Sequence, residues 1–204
     1  MRHSIPGLVL VLVIAAGCNK GPVVPSPLTG QTRYLCCNLR YERPTITDVN
    51  YQVGTLVPAG TTVQILEVRA NSVQFQPAGH PVLTLKYEWG RKANVPFETF
   101  LDRLFLEQDP RVQLAARPRR AAPAAKKGAP KGPQPPNAET VQEMVQHGEV
   151  APGMTREQVL MSLGYPPAHR TPSLDANEWY YWRNRWKQFV VVFDGNTVLR
   201  VAEE

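Results

Sequence analysis

Three cysteines offer the clearest covalent chemistry in this sequence of 204 residues. The first of them, Cys18, follows directly after the small residues Ala15, Ala16 and Gly17. Small residues let an extended chain enter the cleft of a peptidase, and a cysteine immediately after them supplies a thiol that can take a diacylglycerol. The spacing therefore predicts cleavage before Cys18 and acylation of its sulfur atom. The alternative is an ordinary secretory cleavage site with an incidental cysteine.

The residues before this site have the pattern of a short targeting segment. Arg2, His3 and the free amine form a positively charged end, and an apolar run follows from Gly7 to Ala16. Ten residues of helix reach roughly 15 Å, which is half of a bilayer core of about 30 Å. The run is therefore too short to span a membrane, and it has the length of the apolar region of a signal peptide.

Together these features resemble the lipobox of bacterial lipoproteins. The resemblance implies a signal peptide over residues 1–17 and a mature chain that begins at Cys18 and carries acyl chains such as palmitate. Acyl chains of this kind anchor a protein to a membrane essentially permanently. The next residue is Asn19 and not aspartate, which by the sorting rule of such lipoproteins implies the outer membrane. The implied location is a lipid anchor on the periplasmic face of that membrane.

The other two cysteines, Cys36 and Cys37, are adjacent. Successive residues of a strand face opposite sides of a sheet, and a disulfide between neighbours closes a small, strained ring. We therefore expect two separate small hydrophobic side chains, one of them buried. A disulfide to another chain is the alternative, because the periplasm is oxidising. No histidine or acidic residue lies at ligand spacing from either thiol, so the sequence predicts no metal site.

Composition divides the mature chain into two folded parts and two connecting segments. Residues 18–31 are rich in Pro, Gly, Ser and Thr and predict a flexible stalk. Residues 110–137 are rich in Pro, Ala and Lys and predict a linker that cannot form a core. Fully extended, this linker could reach on the order of 80 Å. The folded parts are then a module at residues 32–109 and a domain at residues 138–204.

The positive net charge of +6 is concentrated in the linker. Seven Lys or Arg residues and no acidic residue lie between Arg111 and Pro136, which leaves the folded parts near neutral. The basic charge therefore says little about nucleic acid, for which the sequence carries no binding motif. The linker is interpreted as a solvated spacer, with contact to acidic lipid head groups or envelope polymers as the alternative.

The module at residues 32–109 has the pattern of several short strands followed by a helix. Apolar and aromatic residues alternate or cluster in runs that are bounded by turn residues. A helix is predicted after Pro96, because apolar residues recur at helical spacing from Phe97 to Phe105. The pattern predicts a mainly β fold, a small open barrel or roll that a helix closes. The predicted strands are Tyr34 to Tyr41, Thr61 to Val68, the run containing Val73 and Phe75, and Val82 to Trp89.

The domain at residues 138–204 has the pattern of two helices followed by three strands. Glu139 to Gln146 predict a helix that ends at Gly148. Thr155 and Gln158 fit a capping box at the start of a second helix, and Gly164 is expected to end it in the left-handed conformation. Three antiparallel strands are predicted to follow, with a hairpin turn at residues 194–196. They are Glu178 to Arg183, Gln188 to Phe193, and Val198 to Val201.

Several motifs of this domain resemble the SmpA/OmlA/BamE family. They are Gly153-Met154-Thr155 with Gln158-Val159, Leu163-Gly164-x-Pro166, Trp179-x-Tyr181, and Phe193-x-Gly195-x-x-Val198. The resemblance extends over about residues 139–202. It implies an α+β fold, in which two helices pack on a three-stranded antiparallel sheet, similar to that of β-lactamase inhibitory proteins. It also implies a non-catalytic scaffold or accessory of envelope or outer membrane protein assembly, which binds a protein partner.

The first strand of the predicted sheet carries four aromatic residues in succession. Because side chains alternate along a strand, Trp179 and Tyr181 are expected to face the helices, and Tyr180 and Trp182 to face outward. Trp186 is expected in the following turn. Exposed tryptophan and tyrosine side chains are frequent anchors of protein interfaces, so Tyr180, Trp182 and Trp186 are the candidate partner-binding residues. The alternative is that some of them only cover the sheet edge.

No residue pattern in the sequence predicts catalysis. The four histidines are His3, His80, His147 and His169, and none lies beside a candidate nucleophile or acid in a motif. We therefore predict a protein that is not an enzyme, with no catalytic residue, cofactor, metal, small-molecule substrate or nucleic acid partner. Two other functions stay open. One is a tether that binds peptidoglycan or another cell-wall polymer, and the other, by analogy of fold only, is inhibition of a periplasmic enzyme.

Overall fold

The computed structural model describes residues 22–112 and 137–203. The predicted signal peptide, Cys18 and most of the Pro/Ala/Lys-rich linker lie outside these residues. Among the helices of the described ranges, none has the length and apolar character needed to cross a membrane. The described residues form two hydrophobic cores. The buried residues of one lie between Leu35 and Phe105, and those of the other lie between Val141 and Val198 together with Ala59. The fold class is α+β, as predicted.

The N-terminal module consists mostly of strands, which confirms the prediction. They are β1 (Thr32–Leu35), β2 (Leu39–Tyr41), β3 (Thr45–Thr47), β4 (Thr55–Val57), β5 (Thr62–Arg69), β6 (Ser72–Pro77), β7 (Leu83–Lys86) and β8 (Phe105–Leu106). Six of them form one sheet in the order β3-β7-β6-β5-β1-β8, while β2 and β4 pair separately. All pairs are antiparallel except β3 with β7. The sheet ends at β3 and β8 and is therefore open.

The central strand β5 shows how the sequence pattern positions this sheet. Val63, Ile65 and Val68 are buried in the N-terminal core, while Gln64 and Leu66 are exposed. The register with β6 shifts between Ile65 and Glu67, as at a β-bulge. A bulge adds one residue to one strand, which explains why the buried positions change from odd to even numbers along β5.

Two helices, α1 (Trp89–Lys92) and α2 (Phe97–Leu104), follow β7. The predicted helix after Pro96 is α2, which buries Phe97, Leu101 and Leu104 against the sheet. The ring of Phe97 stacks on Tyr87 with 5.0 Å between centroids. Phe105, which the pattern placed on the same helix, is buried in β8 instead. The helix therefore covers the sheet on one side and leads directly into its edge strand.

Residues 22–31 of the segment predicted to be a flexible stalk are held in place by backbone pairing and packing. The Val24 amide donates to the Val68 carbonyl at 3.1 Å, and the Ala70 amide donates to the Pro22 carbonyl at 3.2 Å. Leu28 packs against the N-terminal core. The expectation of a stalk is therefore wrong for residues 22–31. Its Pro- and Gly-rich composition concealed this pairing, because backbone hydrogen bonds do not require apolar side chains.

The predicted strand from Tyr34 to Tyr41 is interrupted by a bend, and Cys36 and Cys37 in this bend are joined by a disulfide. Both side chains are buried. The expectation of two separate thiols is therefore wrong. It assumed the alternation of a strand, but β1 ends at Leu35, so alternation does not apply to the two cysteines.

The C-terminal domain contains α3 (Ala138–His147) and α4 (Arg156–Leu163), followed by β9 (Glu178–Asn184), β10 (Lys187–Asp194) and β11 (Thr197–Glu203). The three strands form an antiparallel meander in the order β11-β10-β9. The helices pack on one face of this sheet, as predicted. The buried side chains of this core include Met154, Val159, Trp179, Tyr181, Phe189 and Phe193.

The N-terminal end of each helix in this domain is capped by its own sequence. The Asn137 carboxamide accepts from the Thr140 amide at 2.7 Å. Thr155 and Gln158 form the predicted capping box, with bonds of 2.7 and 3.3 Å. These side chains satisfy amide groups that have no partner within a helix.

The two helices end differently. Gly148 ends α3 in the left-handed conformation, with φ 71° and ψ 39°. Gly164 ends α4 with φ 83° but ψ −176°, so the prediction of the left-handed conformation at Gly164 is wrong. The chain leaves α4 in an extended direction toward Pro166 and does not turn back on the helix.

Candidate partner-binding surface

The four consecutive aromatic residues of β9 alternate between the two faces of the sheet, as predicted. Trp179 and Tyr181 are fully buried against the helices. The Tyr181 hydroxyl donates to the Gly164 carbonyl at 3.0 Å, and burial raises the pKa of this tyrosine well above its ordinary value. Tyr180 and Trp182 therefore lie on the opposite face, where both are half-buried.

Tyr180 is held by the segment that precedes β9. The Arg170 guanidinium lies 4.7 Å from the centroid of its ring. The Tyr180 hydroxyl donates to a Glu178 carboxylate oxygen at 3.0 Å, and its amide donates to the Thr171 hydroxyl at 3.0 Å. One side of the ring is thus occupied by an arginine of the same chain.

Trp182 lies at the junction of the two folded parts. Its ring is 5.3 Å from the His169 ring, which is in turn 4.7 Å from the Trp89 ring of the N-terminal module. The Lys92 ammonium lies 4.0 Å above Trp89. The Trp182 carbonyl accepts the Gln52 amide at 2.9 Å. Trp182 therefore takes part in a contact within the chain, which sequence reasoning did not predict.

The same junction covers the C-terminal ends of both helices. The final carbonyls of a helix have no partner within it. Asn38, only 2% exposed, donates from its backbone amide to the Met161 carbonyl at 2.9 Å. Its carboxamide nitrogen donates to the Val145 and Ser162 carbonyls, at 2.5 and 3.0 Å. Its carboxamide oxygen accepts the Ala59 amide at 2.8 Å.

Three further polar residues of the N-terminal module complete this contact. The carboxamides of Asn50 and Gln52 both donate to the Leu163 carbonyl, at 2.8 and 3.0 Å. The Arg40 guanidinium donates to the His147 carbonyl at 2.8 Å. A cation at this position also interacts favourably with the helix dipole. We call the set of Asn38, Arg40, Asn50 and Gln52 with the helix ends the seam.

Trp186 lies at the tip of the β9–β10 hairpin, and its side chain is 81% exposed. The Asn184 side chain accepts the Trp186 and Lys187 amides at 2.9 and 3.1 Å, a local bonding pattern that favours turns. The Arg185 guanidinium lies 4.7 Å from the Trp186 ring. The tip therefore presents a large aromatic surface between two cations, Arg185 and Lys187, both exposed.

An ion pair connects β9 to β11 close to the tip of this hairpin. The Arg183 guanidinium donates to the Glu203 carboxylate at 2.5 Å. The same guanidinium lies 4.9 Å above the ring of Phe189 on the intervening strand. Hydrogen bonding to Arg183 lowers the pKa of Glu203. This pair ties β9 to β11 across β10 close to the exposed tip.

The structure therefore does not bring the three candidate residues into one site. Tyr180 and Trp182 contact other residues of the chain, and only Trp186 is widely exposed. Within the two described ranges, no group of three His, Cys, Asp or Glu side chains is arranged to hold a metal. Sequence reasoning missed the seam, for which the signal was weak. Asn50 has a positive φ of 50°, and asparagine is one of the few residues that tolerate this conformation.

The comparison with protein families supports the fold of the C-terminal domain. Residues 140–203 match the model of the outer membrane protein assembly factor BamE domain. No curated protein and no solved structure matches the chain. The matched range extends from α3 to β11 and so contains the capping box, all three strands and the exposed tip. The family is one of non-catalytic assembly factors. The C-terminal domain of this chain is therefore a BamE/SmpA-like domain.

Proposed function

We propose that this protein is a lipid-anchored, non-catalytic accessory of outer membrane protein assembly that contacts a protein partner through the tip of its β9–β10 hairpin. The BamE domain at residues 140–203 is the observation that carries the proposal. The anchor is the acylated Cys18 that the lipobox resemblance implies, and Asn19 supports a position on the periplasmic face of the outer membrane. No cofactor or small molecule is part of this function.

Trp186 is the residue that best fits the partner contact. Exposed tryptophan side chains dominate the binding energy of many interfaces, and Trp186 is 81% exposed although Arg185 lies beside its ring. Arg185 and Lys187 flank it. Because complementary charges steer association, the matching partner surface combines an apolar pocket with acidic side chains.

The two other candidate residues have smaller parts in this proposal. Tyr180 is half-buried on the outer face of the same strand, so it extends the contact surface from the tip along β9. Trp182 has an indirect part in the contact. Its ring packs on His169, which packs on Trp89, so it connects β9 to the N-terminal module. A partner that reaches the outer face of β9 would therefore meet both folded parts of the chain.

The proposal is tested by photocrosslinking the full-length, anchored protein in cells. A photoreactive amino acid replaces Trp186 in one variant and Leu199 in the control, since Leu199 is an exposed apolar residue on another strand of the same sheet. Capture of a barrel-assembly component at position 186 and not at 199 is expected. Equal capture at both positions would count against a contact at the tip.

The same experiment separates the alternative functions. A tether predicts no protein capture at position 186, together with binding of the anchored protein to purified cell-wall sacculi. An inhibitor predicts capture of a soluble periplasmic enzyme at position 186. As a second measurement, Trp186→Ala is expected to abolish capture of the partner by other probes on the hairpin and to leave the free energy of unfolding unchanged.

A further inference from the structure

The bend between β1 and β2 contains a disulfide that joins two neighbouring residues. Cys36 and Cys37 are 9% and 4% exposed, and their sequence separation is 1. The Cys36 amide donates to the Leu104 carbonyl at the end of α2, at 3.0 Å. The next residue is Asn38, whose amide donates to the Met161 carbonyl in α4 at 2.9 Å. The disulfide thus lies between a contact within the N-terminal module and a contact with the C-terminal domain.

A disulfide between neighbours contributes little as a cross-link. A cross-link stabilises a protein mainly by restricting the unfolded chain, and this effect is larger for a longer loop. The loop that Cys36 and Cys37 close is the shortest possible. The effect of the bond is instead local, because a ring that contains the peptide bond between the two cysteines restricts the backbone dihedral angles of both. The direction in which the chain continues to Asn38 therefore depends on the bond.

Asn38 is sensitive to this direction because all of its polar groups are hydrogen-bonded. Its carboxamide nitrogen donates to the Val145 and Ser162 carbonyls, and its carboxamide oxygen accepts the Ala59 amide. Its backbone carbonyl accepts the Asn50 carboxamide at 3.0 Å. Hydrogen bonds weaken when their distances and angles leave a narrow range, so a displaced Asn38 backbone would weaken several of these bonds together.

The same displacement would reach the rest of the seam through Asn50. The Asn50 carboxamide oxygen accepts the Arg40 amide at 2.9 Å, and the Asn50 carbonyl accepts the Gln52 carboxamide at 2.8 Å. The Gln52 amide donates to the Trp182 carbonyl of β9 at 2.9 Å. Hydrogen bonds therefore connect all the polar residues of the seam to Asn38, which directly follows the disulfide.

We propose that Cys36 and Cys37 form a redox switch for the contact between the two folded parts. With the disulfide closed, the backbone at Asn38 is fixed and the seam forms. With the disulfide reduced, the two cysteines regain backbone freedom and the seam opens. Ala59 is the only one of the buried residues of the C-terminal core that the N-terminal module contributes, so each folded part keeps its core when the seam opens.

The switch operates by thiol–disulfide exchange. Closing the disulfide removes one proton from each thiol and two electrons in all, and these electrons reduce the disulfide of an oxidant to two thiols. One cysteine thiolate attacks the oxidant and forms a mixed disulfide, and the second thiolate then displaces the remaining sulfur of the oxidant. A dithiol reverses both steps and is itself oxidised to a disulfide. Because Cys36 and Cys37 are buried, exchange requires local opening of the bend.

Hydrogen–deuterium exchange of backbone amides tests the switch in the full-length protein, isolated from cells in detergent. The protein is unfolded in denaturant and refolded with either oxidised glutathione or dithiothreitol, and the intact mass confirms the gain of two hydrogen atoms on reduction. The Gln52 amide bonds across the seam, whereas the Ile65 and Val198 amides bond within their own folded parts. Reduction is expected to accelerate exchange at Gln52 at least tenfold and to leave exchange at Ile65 and Val198 nearly unchanged.

Two variants test whether the effect passes through the disulfide and Asn38. Cys36→Ala/Cys37→Ala has no disulfide between these positions, so Gln52 should exchange rapidly both with and without dithiothreitol. In Asn38→Ala the seam has already lost its central residue, so reduction should accelerate exchange at Gln52 much less than tenfold. A full tenfold acceleration by dithiothreitol in either variant would overturn the proposal.

The natural chain alone can also contradict the switch. Exchange at Gln52 that does not change on reduction would overturn the proposal, as would two free thiols at Cys36 and Cys37 in the protein isolated from cells. Equal acceleration at Gln52, Ile65 and Val198 would overturn it as well, because the disulfide would then stabilise the whole fold and not the seam.

The switch goes beyond the proposed assembly function and does not rest on it. Photocrosslinking at Trp186 measures the partner contact, while hydrogen exchange at Gln52 measures the seam. The failure of one proposal is therefore distinguishable from the failure of the other.

Discussion

The two ends of the helices in the C-terminal domain are stabilised in different ways. At the N-terminal ends, Asn137 and the Thr155–Gln158 pair bind amides within three residues of themselves. At the C-terminal ends, Asn38 and its neighbours bind carbonyls more than 100 residues away. The domain thus starts its helices with its own sequence and completes them with residues of the preceding module. The N-terminal module therefore contributes hydrogen bonds that complete the helices of the C-terminal domain.

The largest effect is expected from Asn38→Ala. The substitution leaves the buried Ala59 amide without its acceptor and two helix-end carbonyls without their donor. Unsatisfied buried groups of this kind should lower the free energy of unfolding by about 3 kcal/mol, measured by chemical denaturation. Gln64→Ala is the control, since Gln64 bonds only at the exposed surface. If Asn38→Ala lowers the free energy of unfolding no more than the control does, the seam contributes little to stability.

The next largest effect is expected from Gly164→Ala. Gly164 has φ 83°, and a Cβ atom there would lie 2.8 Å from the Asn50 carboxamide nitrogen. Backbone strain and this close approach should together cost about 2 kcal/mol.

Gly195→Ala is the control for this substitution, because Gly195 also has a positive φ but has open space around it. Its cost should be about 1 kcal/mol, from the backbone conformation alone. Thermal unfolding of the two variants compares them directly. If both variants lose the same stability, neither the ψ of −176° at Gly164 nor the approach of Asn50 adds to the cost of a positive φ.

A smaller effect is expected from Thr155→Ala, which removes the local cap of α4. Loss of an N-cap side chain typically costs about 1 kcal/mol. Thr140→Ala provides the control, because Thr140 is exposed within α3 and alanine favours a helix. The free energies of unfolding of both variants are measured by chemical denaturation. If Thr155→Ala lowers this free energy more than Asn38→Ala does, the local cap stabilises the helices more than the distant contacts of Asn38 do.

The same distinction explains which features could be predicted from sequence. The capping box, the meander and the inward-facing Trp179 and Tyr181 follow from local spacing and alternation, and all are confirmed. The seam was not predicted, because nothing near Asn38 indicates that its partners lie in α3 and α4. The pairing of Val24 with β5 was missed for a similar reason: its bonds are made by the backbone and leave no side-chain pattern.

The candidate partner-binding residues also differ in how far their surroundings could be predicted from sequence. The exposure of Trp186 follows from its place in a hairpin turn, which is a local property. The half-burial of Trp182 depends on His169 and Trp89, which approach it from a different segment and a different module. Alternation predicted the face of the sheet on which Trp182 lies, but it could not predict what covers that face.

The junction also predicts a modest dependence of stability on pH. Burial, the largest cause, lowers the pKa of His169 below its ordinary value of 6.5; Arg170 and Lys92 lower it further, while Asp48 opposes them. The unfolded chain therefore binds a proton at a higher pH than the folded protein. This contribution to stability is complete above pH 6.5 and is lost as the pH falls through the lowered pKa of the folded protein.

His169→Phe separates this titration from the packing of the rings. Phenylalanine keeps an aromatic ring between Trp89 and Trp182 but cannot bind a proton. Free energies of unfolding measured at several pH values below neutral should fall less steeply for this variant than for the natural chain. If the two slopes are equal, His169 does not couple protonation to the junction, and the link between the two folded parts depends on the hydrogen bonds of the seam and on the packing of the rings.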